Sequence, residues 1–464
     1  MAHSASTAES TLPPLVPGPY RKRIGLISII ACFGGLLFGY DTGVSNGAER
    51  PMQAELGLSD LAVGVVISSL IFAAAVGALF GGQLSDAWGR RKTIILLAVL
   101  FFTGTLFVVF SPGFGILVTG RVLLGLAVGG ASTVVPVYLA EMAPYEIRGS
   151  ITGRNELAIV SGQLAAFVVN AIIGTAFGHI TGVWRFMFAV CALPAIALFF
   201  GMLRMPESPR WLVEKGREDE ALAVLKTVRP EERAIAEWEQ VERVVEEEHE
   251  EHWSGLSAIL RSRWLIRILL VGIGLSMTQQ LTGINSIMYY GQRVLIEAGF
   301  TADAALVANI SAGVAAVIGG IIALYNMDRL DRRKTFMIGL SLTTTCHLLI
   351  GVASMLLPVG NSLRPYVLLF LVVAFVFSMQ TFLNVAVFFG WTTNALLALF
   401  FPSLVDGIGI TGVFFLFAVI GAIALVFVIT QVPETRGRSL EALEEDVESG
   451  AIYNFRKASP APAR

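Results

Sequence analysis

Long apolar blocks separated by short polar stretches occupy most of this chain. The blocks fall at about residues 24–46, 60–83, 93–111, 114–138, 155–176, 183–203, 266–290, 304–326, 335–357, 366–401 and 410–431. A bilayer core of ~30 Å needs roughly 20 apolar residues per helical span, and an open strand in lipid would leave backbone groups without hydrogen bonds. The pattern therefore predicts an all-α integral membrane protein.

The composition supports this class. Hydrophobic residues fill 55% of the 464 positions, charged residues fill 15%, and the mean hydropathy is +0.71. A soluble domain carries about 25% charged residues. The net charge of −2 argues against a nucleic-acid partner, which requires a basic face.

No group of residues suggests catalysis or a bound cofactor. Cys32, Cys191 and Cys346 lie singly in apolar stretches, and the five histidines show no ligand spacing. We therefore expect neither a disulfide nor a metal site. Because the sequence shows no nucleophile–base set and no nucleotide-binding loop, we expect a protein that is not an enzyme and that draws its energy from a gradient.

Basic residues concentrate in the loops of one side. These loops carry Arg21-Lys22-Arg23, Arg90-Arg91-Lys92, Arg148 with Arg154, and Arg329 with Arg332-Arg333-Lys334. The opposite loops carry single charges, such as Arg50, Arg293 and Arg364. Since short cytoplasmic loops are enriched in Lys and Arg, we expect a multi-pass protein of the plasma (cell inner) membrane with a cytoplasmic N-terminus.

The chain divides into two similar halves. Asp86 to Lys92 follows the second block of the first half, and Asp328 to Lys334 follows the second block of the second half. We expect a polar N-terminal tail at 1–20, an N-terminal bundle at 21–203, a cytoplasmic helical linker at 204–265, a C-terminal bundle at 266–432 and a cytoplasmic C-terminal tail at 433–464.

Six motifs in order carry a family resemblance. They are Gly39-Tyr40-Asp41-Thr42-Gly43, Asp86 with Gly89-Arg90-Arg91, Pro136 to Glu141 with Arg148-Gly149, Pro206 to Arg210, Gln279 to Asn285, and Pro433 to Gly437. Over roughly residues 20–445 the chain resembles the sugar porter family of the major facilitator superfamily, which includes facilitative glucose transporters and proton-coupled bacterial symporters. The resemblance implies two pseudo-symmetric six-helix bundles with the substrate between them.

Two charged residues lie inside predicted spans. Asp41 falls in the first apolar block and Arg121 in the fourth. Because each charge is expensive in a bilayer, we expect the two to pair. Asp41 is then either a cap near a helix end or a proton site. The resemblance favours the proton site, because proton-coupled members have an acid at this position and uniporters have a neutral residue.

Amide side chains on the seventh block are candidate sugar ligands. Gln279, Gln280 and Asn285 offer both donors and acceptors, as sugar hydroxyls require, and Gly283 is a position where the helix can bend. The alternative is hydrogen bonding between helices. The resemblance adds further pocket residues, namely Gln163, Tyr289, Tyr290, Asn309, Trp391 and Asn394.

The cytoplasmic charges form another candidate group. The resemblance implies a gating network that clasps the two halves. It contains Asp86, Arg90, Arg91, Glu141, Arg148, Glu207, Arg210, Asp328, Arg332, Arg333, Glu434 and Arg436. The alternative is simple positive-inside anchoring, which explains the arginines but not the acids beside them.

The block at 366–401 departs from the family pattern. A single helix of this length would measure about 54 Å, against a core of ~30 Å. By the resemblance, roughly two dozen residues of the tenth and eleventh spans are absent, so the second half looks short of one span. One long span gives eleven spans and places Arg436 outside the cell. Two short helices give twelve and preserve the topology.

These observations together predict a secondary active transporter. We expect it to import a monosaccharide, such as the hexose glucose, by proton symport with alternating access, as a monomer in the lipid bilayer. The alternatives are a passive sugar uniporter and, because of the missing segment, a non-transporting sugar-binding protein or inactive paralogue.

Overall fold

The computed structural model describes residues 13, 18–250, 263–326, 330–382 and 388–432. Several predictions concern residues outside these ranges: most of the N-terminal tail, residues 251–262 of the linker, Asp328, and the C-terminal tail with Glu434 and Arg436. Within the described ranges the secondary structure is helical, with no strand. The all-α class is confirmed.

The first half contains seven α-helices and one turn of 3₁₀ helix at Tyr145–Ile147. The α-helices are α1 (Tyr20–Leu56), α2 (Asp60–Trp88), α3 (Arg90–Val109), α4 (Phe114–Met142), α5 (Arg148–Phe177), α6 (Val183–Ala189) and α7 (Ala192–Leu203). The last two together form one apolar span, Val183–Leu203. The turn between α1 and α2 has local causes: Gly57 has φ 61° and ends α1, and Ser59 accepts a hydrogen bond from the amide of Ala62.

Three helices in the described part of the linker dock beneath the first half. They are α8 (Pro209–Glu214), α9 (Glu218–Val228) and α10 (Glu231–Glu250). The indole of Trp211 donates to the carbonyl of Asp86, and the buried Arg229 donates to the carbonyl of Met142 and to Glu237. Burial lowers the pKa of the Arg229 guanidinium, and the charge of Glu237 opposes that shift. These contacts attach the linker to the ends of α2 and α4.

The second half begins with a broken span. Its helices are α11 (Arg263–Leu281), α12 (Ile284–Ala298), α13 (Ala302–Asn326), α14 (Arg332–Leu356), α15 (Arg364–Phe382) and α16 (Phe388–Gln431). The break between α11 and α12 falls at Gly283, which has φ 81°. A side chain at this position would also collide with the ring of Phe417. The predicted bend at Gly283 is therefore present as an interruption of the helix.

Helix α16 is two arms that fold back at Gly409. This residue has φ 68° and ψ 165°, which is not helical. The rings of Phe401 and Phe417 stack with their centroids 6.4 Å apart, whereas a continuous helix would separate these positions by about 24 Å. The arms, residues 388–408 and 410–431, are therefore two spans. With them, with α11 and α12 as one broken span, and with the other apolar helices, the described residues form twelve membrane segments.

The block at 366–401 is thus two short helices, the second of the two alternatives. Met379, near the end of α15, contacts Thr282, and Gly390, at the start of the next arm, packs against Ser276. Both helix ends therefore lie beside the break in the seventh span, at mid-depth of the bundle. Since Arg333 at the start of α14 donates to the carbonyl of Ile429, the last arm returns to the end that carries the basic loops.

We call this end, which carries Arg90 and Arg333, the basic end. The other end, which carries Asp60 and Asp406, is called the opposite end.

Candidate functional site

Asp41 and Arg121 form a fully buried ion pair between α1 and α4. Nη1 of Arg121 donates to both carboxylate oxygens of Asp41, at 2.9 and 3.1 Å. Its other nitrogens donate to the hydroxyl of Ser45 and the carbonyl of Val66. Because α1 continues to Leu56, Asp41 lies within the helix, and the reading of Asp41 as a helix-end cap does not fit.

The break at Gly283 brings two predicted amides together. Nδ2 of Asn285, at the start of α12, donates to Oε1 of Gln280, near the end of α11, at 2.7 Å. Gly390 packs beside Ser276 and Gln280. The next residue, Trp391, lies 5.2 Å from Phe38 of α1, measured between ring centroids. An amide pair and an aromatic plane therefore lie close together at the break in the seventh span, and the aromatic plane contacts the first half.

Tyr289 joins this group to the ion pair. Its ring and hydroxyl are buried, the hydroxyl faces Asn394 and Thr42, and it has no hydrogen bond of normal geometry among the described residues. Thr42 directly follows Asp41 in α1. Tyr289 and Asn394 of the second half therefore lie within one turn of α1 from Asp41 of the first half.

The other predicted pocket residues are more scattered. Gln163 of α5 is buried against Gly43, and its Oε1 has no hydrogen-bond partner among the described residues. Asn309 of α13 lies against Gly291, and Gln279 is buried in α11. Tyr290 donates to the carbonyl of Ala398 and stacks on Phe401. Its hydroxyl and ring are therefore held in packing contacts.

Part of the predicted gating network forms at the basic end. Arg90 contacts Asp86 at 3.0 Å and donates to both carboxylate oxygens of Glu141. Glu207 accepts hydrogen bonds from the backbone amides of Arg91 and Ser208. These contacts join α2, α3, α4 and the segment before α8.

Among the described contacts, other members of that prediction lie elsewhere. Arg148 is exposed at the start of α5, Arg210 pairs with Glu214 on its own helix, and the guanidinium of Arg333 contacts the last arm of α16. Nothing is described of the side chain of Arg332. The described ion pairs of the network therefore connect elements of the first half and the linker, not the two halves.

The sequence reasoning missed a charged cluster at the opposite end. Arg293 of α12 lies 2.9 Å from Asp60, 2.7 Å from Asp406 and 3.5 Å from Glu49. Arg293 was expected in a loop, but it lies inside α12 and is 9% exposed. Asp60 and Glu49 belong to the first half, so this cluster connects the two halves.

The side chain of Asn46 also connects the two halves at the opposite end. Asn46 of α1 donates to the carbonyls of Ile287 and Met288 and accepts from the amide of Gln292. These backbone groups flank Tyr290, whose φ of −121° interrupts α12. Asn46 therefore satisfies groups that the kink releases. Both features depend on the length of α1, which extends about three turns beyond the apolar block ending at 46; the sequence pattern did not predict this extension.

The profile of the family described as "Sugar (and other) transporter" matches residues 27–384 and 378–447. The two matched segments meet where α15 ends. The major myo-inositol transporter IolT of Bacillus subtilis (strain 168) is 46% identical over 443 residues, covering 90% of this chain and 93% of that protein. The glucose transporter GlcP of Staphylococcus epidermidis is 34% identical over 456 residues, covering 91% and 97%.

Solved structures of the xylose transporter XylE from E. coli have the same fold. The partially occluded inward-open conformation superimposes with a TM-score of 0.79 at 26% identity, covering 90% of this chain and 100% of that chain. The proton:xylose symporter XylE bound to 6-bromo-6-deoxy-D-glucose gives a TM-score of 0.73 at 26% identity, covering 92% and 99%. The major facilitator fold is confirmed.

Proposed function

The chain belongs to the sugar (and other) transporter family, and on this premise we propose that it imports a monosaccharide by proton symport with alternating access. It is a multi-pass membrane protein. The proposal places it in the cell's inner membrane as a monomer, with the basic end and the N-terminus in the cytoplasm, as the distribution of Lys and Arg favours.

One observation carries the proposal: the buried Asp41–Arg121 pair adjoins a polar group suited to a sugar. Thr42, next to Asp41, faces Tyr289 together with Asn394. Protonation of Asp41 therefore affects α1 at the point where this helix lies beside the candidate sugar-binding residues. A passive carrier has no need of a carboxylate buried at 1% exposure, because such a charge is costly in a membrane.

Asp41 carries the proton in this mechanism. Protonation removes its negative charge, so the two hydrogen bonds from Nη1 of Arg121 weaken and α1 is released from α4. When Arg121 pairs with Asp41 again, the charged form is favoured and the proton leaves. Because the pair lies between two helices of the first half, its two states can favour different arrangements of that half against the second.

The sugar binds between the halves at mid-depth. Gln280 and Asn285 exchange their mutual hydrogen bond for bonds to sugar hydroxyls, and Gln163, Gln279, Tyr289, Asn309 and Asn394 supply further donors and acceptors. Trp391 packs against the apolar face of the ring. Tyr290 supports the wall of the site through Ala398 and Phe401 rather than contacting the sugar.

The charged contacts of Asp86, Arg90, Arg91, Glu141 and Glu207 hold the basic end of the first half together. The present arrangement, with the opposite end joined through Arg293 and Asn46, resembles a state open or partly open toward the basic end. The TM-score of 0.79 against the partially occluded inward-open structure supports this assignment.

The proposed substrate is a hexose such as glucose. The 46% identity to a myo-inositol transporter, against 34% to a glucose transporter, favours a cyclic polyol as a second candidate. Both molecules are six-membered rings bearing several hydroxyls, so the same amides serve either.

Uptake into proteoliposomes tests the proposal. Purified protein is reconstituted, and labelled D-glucose, D-xylose or myo-inositol is supplied with and without an inward proton gradient. We expect accumulation above the external concentration only with the gradient. Asp41→Asn should abolish accumulation while still allowing the sugar to equilibrate.

The alternatives give other results. Equilibration without accumulation by the wild type indicates passive uniport. No uptake of any of the three sugars by folded protein indicates a non-transporting relative. In that case, lengthening the chain at residues 383–387 by roughly two dozen residues, the number whose absence the family resemblance implies, should create uptake if the shortened helices are the cause.

A further inference from the structure

A small cavity lies between the Asp41–Arg121 pair and the opposite end. It measures about 10 Å³, which is about the room needed by one water molecule. Its polar lining residues are Ser45, Glu49 and Arg121, and the rest of its wall is apolar: Ala48, Met52, Val66, Ile67 and Phe188. Glu49 has no part in the mechanism above, and its position in the cavity wall calls for an explanation.

Glu49 is an unusually placed acid. It is 1% exposed, and neither of its carboxylate oxygens has a hydrogen-bond partner among the described residues. Arg293 approaches to 3.5 Å without forming a hydrogen bond. A buried carboxylate without hydrogen bonds is costly. Arg293 already pairs with two more exposed acids, Asp60 and Asp406. Ion pairing with Arg293 therefore does not by itself explain a buried acid at position 49.

The acids around Arg293 form a gradient of exposure. The side chains of Asp60 and Asp406 are 39% and 49% exposed, that of Arg293 is 10% exposed, and that of Glu49 is 1% exposed. The series thus leads from solvent at the opposite end to the cavity, whose inner wall is Arg121. A chain of carboxylates and water is the arrangement that proton relays in membranes use.

We infer that Glu49 is a proton relay between the opposite end and Asp41; this inference rests on the proposed proton symport. Glu49 belongs to the first half and Arg293 to the second. When the halves separate at the opposite end, Arg293 leaves with α12. An unpaired buried carboxylate then takes a proton from solvent rather than remaining charged.

The relay passes this proton inward. The O–H bond of Glu49 breaks as a water in the cavity gains a proton. Asp41 lies behind Arg121 and Ser45, which line the cavity, so water carries one proton on to a carboxylate oxygen of Asp41 when Arg121 releases that carboxylate. One O–H bond forms for each that breaks, and no electrons are transferred between redox centres. When the opposite end closes, Arg293 returns and stabilises the charged form of Glu49, so the proton does not flow back.

Other charged and titratable groups surround Glu49. They are Arg50 on its own helix, Asp60 on α2, Arg121 on α4, Tyr290 and Arg293 on α12, and Asp406, which acts through Arg293. Among them, Arg293 is the cation that changes its distance from Glu49 when the two halves move apart.

Glu49→Gln tests the relay in proteoliposomes. The probe is the sugar that the wild type accumulates among D-glucose, D-xylose and myo-inositol. Two rates are measured: sugar-induced proton entry, followed with an entrapped pH dye, and sugar exchange at equal pH on both sides. We expect proton entry to fall at least ten-fold while exchange stays within two-fold, because exchange at equal pH does not require new protons.

Glu55→Gln is the matched control. Glu55 is another acid near the opposite end of α1, and it pairs with Arg185 rather than lining the cavity. We expect both of its rates to stay within two-fold of the wild type. Glu49→Asp, which keeps an acid, should retain part of the proton entry.

A second variant tests the same path with Glu49 intact. Ala48→Val adds methyl groups to the cavity wall and should exclude the water, again slowing proton entry more than exchange. Wild-type proton entry in folded Glu49→Gln, or an equal loss of both rates, would overturn the relay. Absence of sugar-induced proton entry in the wild type itself would overturn proton symport, and the relay with it.

Discussion

Gly39 of α1 packs so closely against Ile159 of α5 that a Cβ on Gly39 would lie 1.7 Å from the carbonyl oxygen of Ile159. The two helices also approach at Gly162, where a Cβ would lie 2.2 Å from the carbonyl oxygen of Leu36. Small residues let helix backbones approach closely in a membrane. This contact fixes the position of the segment of α1 that carries Asp41.

We expect Gly39→Ala to destabilise the protein by about 1–3 kcal/mol, the usual cost of overpacking, because α1 and α5 must move apart. Thermal unfolding in detergent measures the loss. Gly25→Ala is the control, since a Cβ on Gly25 meets nothing within 4 Å. Equal melting temperatures for the two variants would contradict the close contact.

Arg121→Ala should be more harmful to stability than loss of the whole pair. It leaves the Asp41 carboxylate buried without its partner, which typically costs about 3–5 kcal/mol. The double variant Asp41→Asn with Arg121→Ala removes both charges and should recover much of that loss. The measurement is again thermal unfolding. A double variant no more stable than Arg121→Ala would show that the charge of Asp41 is not the cause.

Gln280→Ala should weaken sugar binding. Removing one amide that bonds to a sugar hydroxyl costs about 0.5–1.5 kcal/mol, which corresponds to a rise in KM of roughly two- to ten-fold. The measurement is the concentration dependence of sugar exchange. Gln83→Ala removes an exposed amide on α2 and should leave KM unchanged. An unchanged KM in Gln280→Ala would remove Gln280 from the sugar site.

Glu141→Gln should slow transport with little effect on KM. The substitution weakens the two-point contact with Arg90 that joins α3 and α4 at the basic end, and a hydrogen bond to a neutral amide is weaker than one to a carboxylate. Initial rates of uptake at saturating sugar test this. Glu214→Gln changes a partly exposed pair within α8 and should transport at the wild-type rate.

The sequence was informative where a single helix or a single costly charge decides the outcome. The apolar blocks predicted the spans, the expense of Asp41 and Arg121 in lipid predicted that they would pair, and Gly283 marked the break in the seventh span. The block at 366–401 contains no charged residue that could mark a loop, so the sequence showed that it is too long for one span. Its division into two helices was one of two alternatives that only packing could decide.

The opposite end was not predictable in the same way. Glu49 lies beyond the apolar block, and Arg293 has the sequence context of a loop charge. Their contact depends on how far α1 and α12 extend and on how the two halves meet. The same holds for Asn46, whose hydrogen bonds depend on the kink at Tyr290. Such contacts join distant parts of the chain, and no local pattern encodes them.

The shortened helices α15 and 388–408 have a consequence for the bilayer itself. A helix end leaves about four carbonyl or amide groups without partners in its own helix, and such groups at membrane depth must be buried in protein or face water. Both ends lie at mid-depth, so the space below them toward the basic end is expected to be wetted rather than filled with lipid tails. A membrane potential falls mainly across the part of the protein that water does not reach. The driving voltage would then be concentrated between this depth and the opposite end, across the half of the membrane that contains Glu49.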